Sequence, residues 1–217
     1  TLTENNDIEV HVSPILAAET LRMYLWHSAF AALATSATLT ALGKFDRFSQ
    51  RAGLPRSAVC TMAPSPFKHG EAGVLRVPNY GADPRDSAGH SASMLEVYAG
   101  LPAAFRERIL VQGDLSKQEL IRQHRKRVDE GKPSVIFGLA SFAEGVDLPG
   151  KYCEHVVIAK IPFAVPDDPV EAALAEWIEK NGGNPFMEIA VPDASLRLIQ
   201  ACGRLLRTEQ DSGTITV

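Results

Sequence analysis

The second half of the chain alternates between short apolar runs and helical patterns. Three apolar runs predict buried strands: Ile109–Val111, Ser134–Phe137 and His155–Ile161. Between them lie two helix-start signals, a capping box from Ser116 to Glu119 and an Asp168-Pro169 pair. Continuous apolar strands separated by helices are typical of a parallel sheet covered on both faces. We therefore predict an α/β domain.

Weaker patterns predict further elements around this region. The predicted helices run over 15–26, 44–52, 116–131, 168–182 and 193–207. Additional short strands are predicted at Ile8–Val12, Ala31–Ala34, Val74–Val77 and Thr214–Val217. The stretch 79–93 is rich in Gly, Pro, Asp and Ser, which predicts a loop. We divide the chain into a lead-in segment, 1–40, and one large domain, 41–217.

Composition narrows the class of protein only a little. The chain has 217 residues, 45% hydrophobic and 22% charged, and its apolar runs are too short to cross a bilayer. Thr1–Val10 is polar and acidic, unlike a secretory signal, so we expect a cytoplasmic protein. Three scattered cysteines, Cys60, Cys153 and Cys202, include no C-x-x-C pair. We therefore expect reduced, buried thiols and no metal site.

The net charge of −4 argues against a dedicated DNA-binding module, which normally carries a basic face. The arginines are nevertheless clustered, at 122–127 and in the last predicted helix. In that helix Gln200, Arg204 and Arg207 are spaced i, i+4 and i+7 and would share one face. Gly203 beside them would let another surface approach. Paired guanidinium groups suit the spread charge of a phosphoryl group in transfer, and a solvated arginine face is the alternative.

A second candidate element follows the predicted strand 134–139. In Ser141–Gly150, the carboxylates of Glu144 and Asp147 flank Gly145 at the strand end where open α/β sheets bind ligands. They can hold an arginine or a ribose hydroxyl, although a polar turn with Gly145 at positive φ is an equal alternative. The sequence 145–152 nearly matches a phosphate-binding loop. We reject that match because Tyr152 replaces the magnesium-binding hydroxyl, Pro149 stiffens the loop, and a β run follows where a helix is required.

The third element is Thr35-Ser36-Ala37-Thr38-Leu39, at the end of the predicted strand 31–34. The hydroxyls of Thr35, Ser36 and Thr38 can relay hydrogen bonds between two lobes of a protein. Small residues also suit a tight strand exit, so this segment carries little weight by itself.

These three elements, in this order, resemble superfamily 2 helicases, specifically the DinG branch related to XPD. Thr35–Leu39 looks like motif III, Ser141–Asp147 like motif V and Gln200–Arg207 like motif VI. Four further signatures occur in family order: Ser65–Phe67, Val111–Asp114, His124–Arg127 and Lys160–Phe163. The resemblance extends from about Val12 to Val217.

The resemblance implies a RecA-like three-layer domain, the second motor domain of an ATP-dependent DNA helicase with 5′-to-3′ polarity. Arg204 and Arg207 would act on the γ-phosphate, with Gln200, Gly203 and the motif V residues Glu144, Gly145 and Asp147 beside the nucleotide. Thr35, Ser36 and Thr38 would couple hydrolysis to movement on single-stranded DNA. ATP and Mg²⁺ would be held mainly by a first motor domain that this sequence does not include, and any iron–sulfur cluster would lie there as well.

Two points depart from the family pattern. The first point is that the first motor domain is not in this sequence, so we expect the chain not to hydrolyse ATP by itself. The family also places a helix and a buried strand (motif IV) between 77 and 108. Here only Ser93–Tyr98 remains, which resembles the helix after that strand, and this indicates a gap or shortening near His90–Ser93. Three alternatives stay open: a catalytically silent nucleic-acid- or partner-binding module, a DinG-like protein fused to a nuclease, and an RNA helicase of the same superfamily.

Overall fold

The computed structural model describes residues 12–78, 83, 85–100, 102–139, 142, 145–164 and 168–217. The chain forms two compact units. The first comprises Thr1–Ala63 and Phe163–Arg197, and the second comprises Pro64–Pro162 and Leu198–Val217. Each unit is therefore built from two separate stretches of the chain. The predicted boundary near residue 40 stays a prediction.

The described chain begins with helices, and strands are interspersed with helices from residue 73 onward. The helices are α1 (Ala18–Leu21), α2 (Asp46–Ala52), α3 (His69–Ala72), α4 (Ser87–Gly100), α5 (Ala103–Arg106), α6 (Lys117–Asp129), α7 (Pro169–Lys180) and α8 (Val191–Cys202). The strands are β1 (Gly73–Arg76), β2 (Ile109–Val111), β3 (Val135–Phe137), β4 (His155–Val157) and β5 (Gly213–Thr216). Short π-helices follow α1 and precede α8, at Arg22–Trp26 and Phe186–Ala190, and a 3-10 turn covers Gly150–Tyr152. None of the described helices is long and apolar enough to span a membrane.

The second unit contains two parallel sheets. In the larger one, β5 lies between β1 and β4, with Val74 opposite Thr214 and Val156 opposite Ile215. In the smaller one β2 pairs with β3. The α/β class with parallel strands is confirmed. The described strands do not form one continuous sheet, however, and Val135 and Phe137 of β3 are 43% and 59% exposed, so the expectation of a strand buried on both faces is wrong there.

A small apolar core organises the second unit. Buried side chains from β2, α6 and the segment after β3 pack together, namely Leu110, Leu120, Phe142, Val146 and Leu148. Leu120 is fully buried on α6. Helix α6 begins as predicted, because Ser116 Oγ accepts a hydrogen bond from the Glu119 backbone N–H at 3.3 Å. This core fixes the segment 142–148 against α6.

The first unit is held by polar contacts between its helices. Trp26 Nε1 donates to the Ala52 carbonyl at 2.6 Å, which ties the π-helix after α1 to the end of α2. On α2, Arg47 forms an ion pair with the buried Asp193 of α8, and Arg51 lies 3.6 Å from the same carboxylate. Helix α7 starts at the predicted place, because Asp168 accepts from the Val170 N–H at 2.8 Å.

Several sequence-based expectations need correction. The stretch 31–34 forms no strand, and Leu33 is 90% exposed, because none of the described strands pairs with it. Residues 87–93 belong to α4 instead of a loop, since Asp86 caps that helix by accepting from Gly89 N–H at 3.0 Å. Strand β4 ends at Val157, where its pairing with β5 ends. The predicted strand at Ile8–Val12 lies outside the described residues except for Val12, which is in no strand.

Candidate functional site

The arginines of the last predicted helix lie on a turn beyond the helix. Helix α8 ends at Cys202, and the next backbone bonds run three residues back, from Arg204 N–H to Ala201 O and from Leu205 N–H to Cys202 O. The prediction of a helix continuing to Arg207 is therefore wrong. Glycine at 203 weakens the helix at this point. Leu205, which is fully buried, anchors the turn.

The two arginines nevertheless converge on one atom. Arg204 Nη1 donates to the Val146 carbonyl oxygen at 3.1 Å, and Arg207 Nη2 donates to the same oxygen at 3.0 Å. Arg207 Nε also lies 3.2 Å from Asp147 Oδ1. Among the described residues this is the one ion pair that either arginine makes, and the buried Arg204 Nε meets no acceptor there. Among the described residues, only one of the two guanidinium groups is therefore paired with a carboxylate.

The segment that receives the arginines is anchored on one side and open on the other. Val146 and Leu148 are 6% and 8% exposed and belong to the core, whereas the Asp147 side chain is 70% exposed. Gly145 has φ of +70°, which is the turn conformation expected of a glycine at this position. Asp147 does contact an arginine, as its sequence context suggested. Glu144 lies outside the described residues.

Side chains of α6 contact the same loop, between Asp147 and Tyr152. Arg125 Nη2 donates to the Asp147 carbonyl at 2.8 Å. The buried His124 bridges Ser134 Oγ at 2.9 Å and the Tyr152 carbonyl at 2.8 Å. Asp129 pairs with Lys151 at 2.7 Å and accepts from the Tyr152 hydroxyl at 2.9 Å. The hydrogen bond from Lys151, and after it the one from Tyr152, lower the pKa of Asp129.

Sequence reasoning gave no role to three residues that organise this site: His124, Arg125 and Asp211. His124 carries a detectable signal, because it lies four residues after Leu120 on the apolar face of α6. Asp211 lies in the turn between α8 and β5, where aspartate commonly binds nearby backbone N–H groups. The contact of Arg125 with a backbone carbonyl 22 residues away has no sequence signal.

Of the remaining predicted site residues, the three hydroxyl residues belong to the other unit, whereas Gln200 and Gly203 belong to the unit that contains the arginines. Thr35, Ser36 and Thr38 belong to the first unit, where Ser36 Oγ accepts from Thr38 N–H at 3.2 Å in a local turn. Gln200 is exposed in the last turn of α8. Among the described residues, a Cβ atom added at Gly203 would meet only carbonyl oxygens of its own helix, at 3.2 and 3.7 Å, so none of them forms a second surface against that glycine.

The cysteines are free thiols, and the expectation that all are buried is wrong for Cys60, which is exposed. Burial raises the pKa of both Cys153 and Cys202, so both are protonated near neutral pH. Within the part of the chain that the structure describes, no cluster of His, Cys, Asp and Glu side chains could bind a metal ion. As the sequence indicated, the near-match to a phosphate-binding loop is followed by β4 instead of a helix.

Comparison with known proteins gives one matching family and several similar proteins. A family model described as a helicase C-terminal domain matches residues 90–217. The chain is 36% identical to the ATP-dependent DNA helicase DinG of Photobacterium profundum, over 97% of this chain and 34% of that protein. It is 33% identical to the protein of the same name from Escherichia coli, over 95% of this chain and 33% of that protein.

The family model covers more than half of the chain, which therefore belongs to the helicase C-terminal domain family. Its relatives within that family are DinG helicases, so the chain is a DinG-type helicase C-terminal domain, and its parallel α/β architecture agrees with a RecA-like fold. The chain spans about a third of the length of these relatives. The alignments cover 239 and 236 residues, more than the 217 of this chain, so the relatives carry internal residues without counterparts here. A shortening near His90–Ser93 stays a prediction.

Proposed function

We propose that this chain is the second motor domain of an ATP-dependent DNA helicase with 5′-to-3′ polarity. Its relatives are named ATP-dependent DNA helicases, which supports the class of activity. The observation that carries the assignment of residues is the convergence of Arg204 and Arg207 on the Val146 carbonyl oxygen. Two guanidinium groups held at one point can jointly contact one anionic group.

In the proposed mechanism that group is the γ-phosphate of ATP, bound with Mg²⁺ against a first motor domain. Phosphoryl transfer spreads negative charge over the non-bridging oxygens, and fixed positive donors stabilise it because they need no reorganisation. Arg204 and Arg207 supply these donors. Their present partner is a neutral carbonyl, and a charged acceptor forms hydrogen bonds roughly twice as strong. A phosphoryl oxygen therefore competes well with Val146 O.

The loop at Val146–Asp147 gives a physical route from nucleotide to DNA. Asp147 contacts Arg207, and the neighbouring Val146 carbonyl contacts both arginines, so a shift of the arginines toward phosphate releases this segment. We assign Asp147, Gly145 and Glu144 to this coupling, with Gln200 beside the arginines. Thr35, Ser36 and Thr38 are assigned to the same coupling from the first unit. Single-stranded DNA would be bound mainly through its backbone and by base stacking.

The test is single-strand-stimulated ATPase activity of the complete enzyme with Arg204→Ala. We expect kcat to fall by about three orders of magnitude, the range found for arginine fingers, because transition-state charge loses a donor. Arg122→Ala is the matched control, since Arg122 is exposed on α6 and pairs with Glu119. Control turnover should stay within about twofold, because exposed ion pairs contribute little.

Unchanged turnover in Arg204→Ala, with the fold intact by circular dichroism, would mean that the arginines only bind the Val146 carbonyl. The catalytically silent binding module would then be the better assignment.

A further inference from the structure

The turn that carries the arginines is bound by a buried carboxylate. Asp211 is 7% exposed, and its Oδ2 accepts from the backbone N–H groups of Arg207 at 2.8 Å and Thr208 at 2.9 Å. Its Oδ1 accepts from the Thr208 hydroxyl at 2.7 Å. The Asp211 carboxylate therefore takes up the backbone donors that follow Leu205, where the helix has already ended. It fixes the backbone of Arg207 directly.

The same carboxylate reaches the segment that receives the arginines. The backbone of Gly150, three residues after Asp147, lies beside it: a Cβ atom added at Gly150 would come within 3.9 Å of Asp211 Oδ1, and the Gly150 N–H is one of the groups that lower the pKa of Asp211. Gly150 has φ of +60° and opens the 3-10 turn that leads to Tyr152. One buried side chain thus joins the arginine turn to the loop whose Val146 carbonyl binds both arginines. The two contacts are independent of the arginine side chains themselves.

An ionised carboxylate suits this position because all its described partners are donors. The Thr208 hydroxyl and the three backbone N–H groups lower the pKa of Asp211, the hydroxyl most, so the side chain is anionic near neutral pH. Asparagine has almost the same shape but would turn an NH₂ group toward N–H donors. Asp211→Asn therefore replaces one of the two acceptor oxygens with a donor and retains the volume.

We propose that Asp211 is a positioning residue for Arg204 and Arg207. It holds their turn against the Val146–Asp147 segment and so determines where the guanidinium groups point. This inference rests on the proposed function, which gives the arginines their role at the γ-phosphate. Asp211 itself does not contact substrate. A turn-capping carboxylate without influence on the arginines is the opposing interpretation, and the experiment separates the two.

The experiment measures kcat and KM for ATP in the complete enzyme, with single-stranded DNA present, for Asp211→Asn, Arg207→Ala and the double variant. We expect Asp211→Asn to lower kcat about tenfold while KM changes less than about threefold, because the interaction lost is made in the transition state. In the Arg207→Ala background, Asp211→Asn should lower kcat less than it does in the parent, because only its effect through Arg204 is left. Non-additivity of this kind is expected when one residue acts through the other.

The control is Asp168→Asn. Asp168 also accepts a backbone N–H, at 2.8 Å from Val170, but it caps α7 in the first unit. The kcat of Asp168→Asn should stay within about twofold of the parent enzyme, because losing this helix N-cap lowers only local stability. Thermal melting verifies the fold of each variant. If Asp211→Asn does not fold, Thr208→Val replaces it, because valine removes only the hydroxyl donor to Oδ1, and a smaller fall in kcat is expected.

Equal kcat for Asp211→Asn and Asp168→Asn would overturn the proposal. So would an equal fall in kcat from Asp211→Asn in the parent and in the Arg207→Ala background, since the two residues would then act separately. If Thr208→Val is the variant used, an unchanged kcat overturns it. Arg207→Ala with unchanged turnover would instead remove the proposed function, and this inference with it.

Discussion

His124 offers a test of how contacts from α6 stabilise the loop 145–152, whose Val146 carbonyl accepts from both arginines. The imidazole is 6% exposed and bonded at both nitrogens, to the Ser134 hydroxyl and the Tyr152 carbonyl. Because a carbonyl oxygen only accepts, Nε2 carries a hydrogen and donates to Tyr152. His124→Ala removes both bonds and leaves the Tyr152 carbonyl without this donor.

The expected loss follows from these contacts. Each hydrogen bond contributes about 1 kcal/mol net, and a buried acceptor that loses its donor costs about 1–3 kcal/mol. Together with the lost packing of the ring, we expect the free energy of unfolding to fall by about 3 kcal/mol. With a urea m value on the order of 2 kcal/mol/M, the midpoint should fall by about 1.5 M.

The assay is urea unfolding of the second unit within the whole chain, followed by circular dichroism and by hydrogen exchange of the 145–152 amides. His155→Ala is the control, because His155 is exposed and makes one bond, to Thr216 Oγ1 at 2.9 Å. Its effect should stay within about 0.5 kcal/mol. A midpoint for His124→Ala that matches the control, with exchange of these amides unchanged, would refute this account of the loop.

Two further predictions concern activity and acid stability. The isolated chain should show no DNA-dependent ATP hydrolysis in a coupled ATPase assay, since the proposed function assigns the phosphate-binding residues to a first motor domain; measurable turnover would contradict that function. The lowered pKa of Asp211 contributes stability that is complete above its unfolded pKa of about 3.9 and is lost as pH falls through the folded value. The melting temperatures of the chain and of Asp211→Asn should therefore converge on acidification from pH 6 to pH 3, and a constant difference would exclude this contribution.

The sequence predicted those elements whose signals are local. The side chains of Ser116 and Asp168 cap α6 and α7 at the helix starts that the sequence predicted. Strand β2 has the predicted bounds. Asp86 caps α4 in the same way, but the glycine and serine residues around it favoured a loop. The positive φ of Gly145 followed from its place between two carboxylates at the end of a predicted strand.

The contacts that define the site depend on residues far apart in sequence. Arg204 and Val146 are 58 positions apart, and their bond exists only because α8 ends at Cys202. The helical spacing in the sequence predicted Gln200, Arg204 and Arg207 on one face. It did not predict that the helix ends at Cys202. Beyond that end, Asp211 accepts from the Arg207 and Thr208 backbone N–H groups, which a continuing helix would have bonded internally. The family resemblance named these residues, and their local geometry had to come from the structure.

The contacts around Val146 indicate how the site can be well ordered and still release its arginines to a bound anion. Its side chain is held by the core, Arg125 donates to the Asp147 carbonyl, and the Gly150 backbone lies beside Asp211. Those contacts do not involve the carbonyl oxygen of Val146, which accepts from the two arginines. If an anion withdraws the guanidinium groups, the segment is released from two bonds to a neutral carbonyl and from one ion pair to the exposed Asp147, which contributes little, while its other contacts remain. The cost of releasing the arginines is therefore small compared with a bond to a charged phosphoryl oxygen, as a site that responds to nucleotide requires.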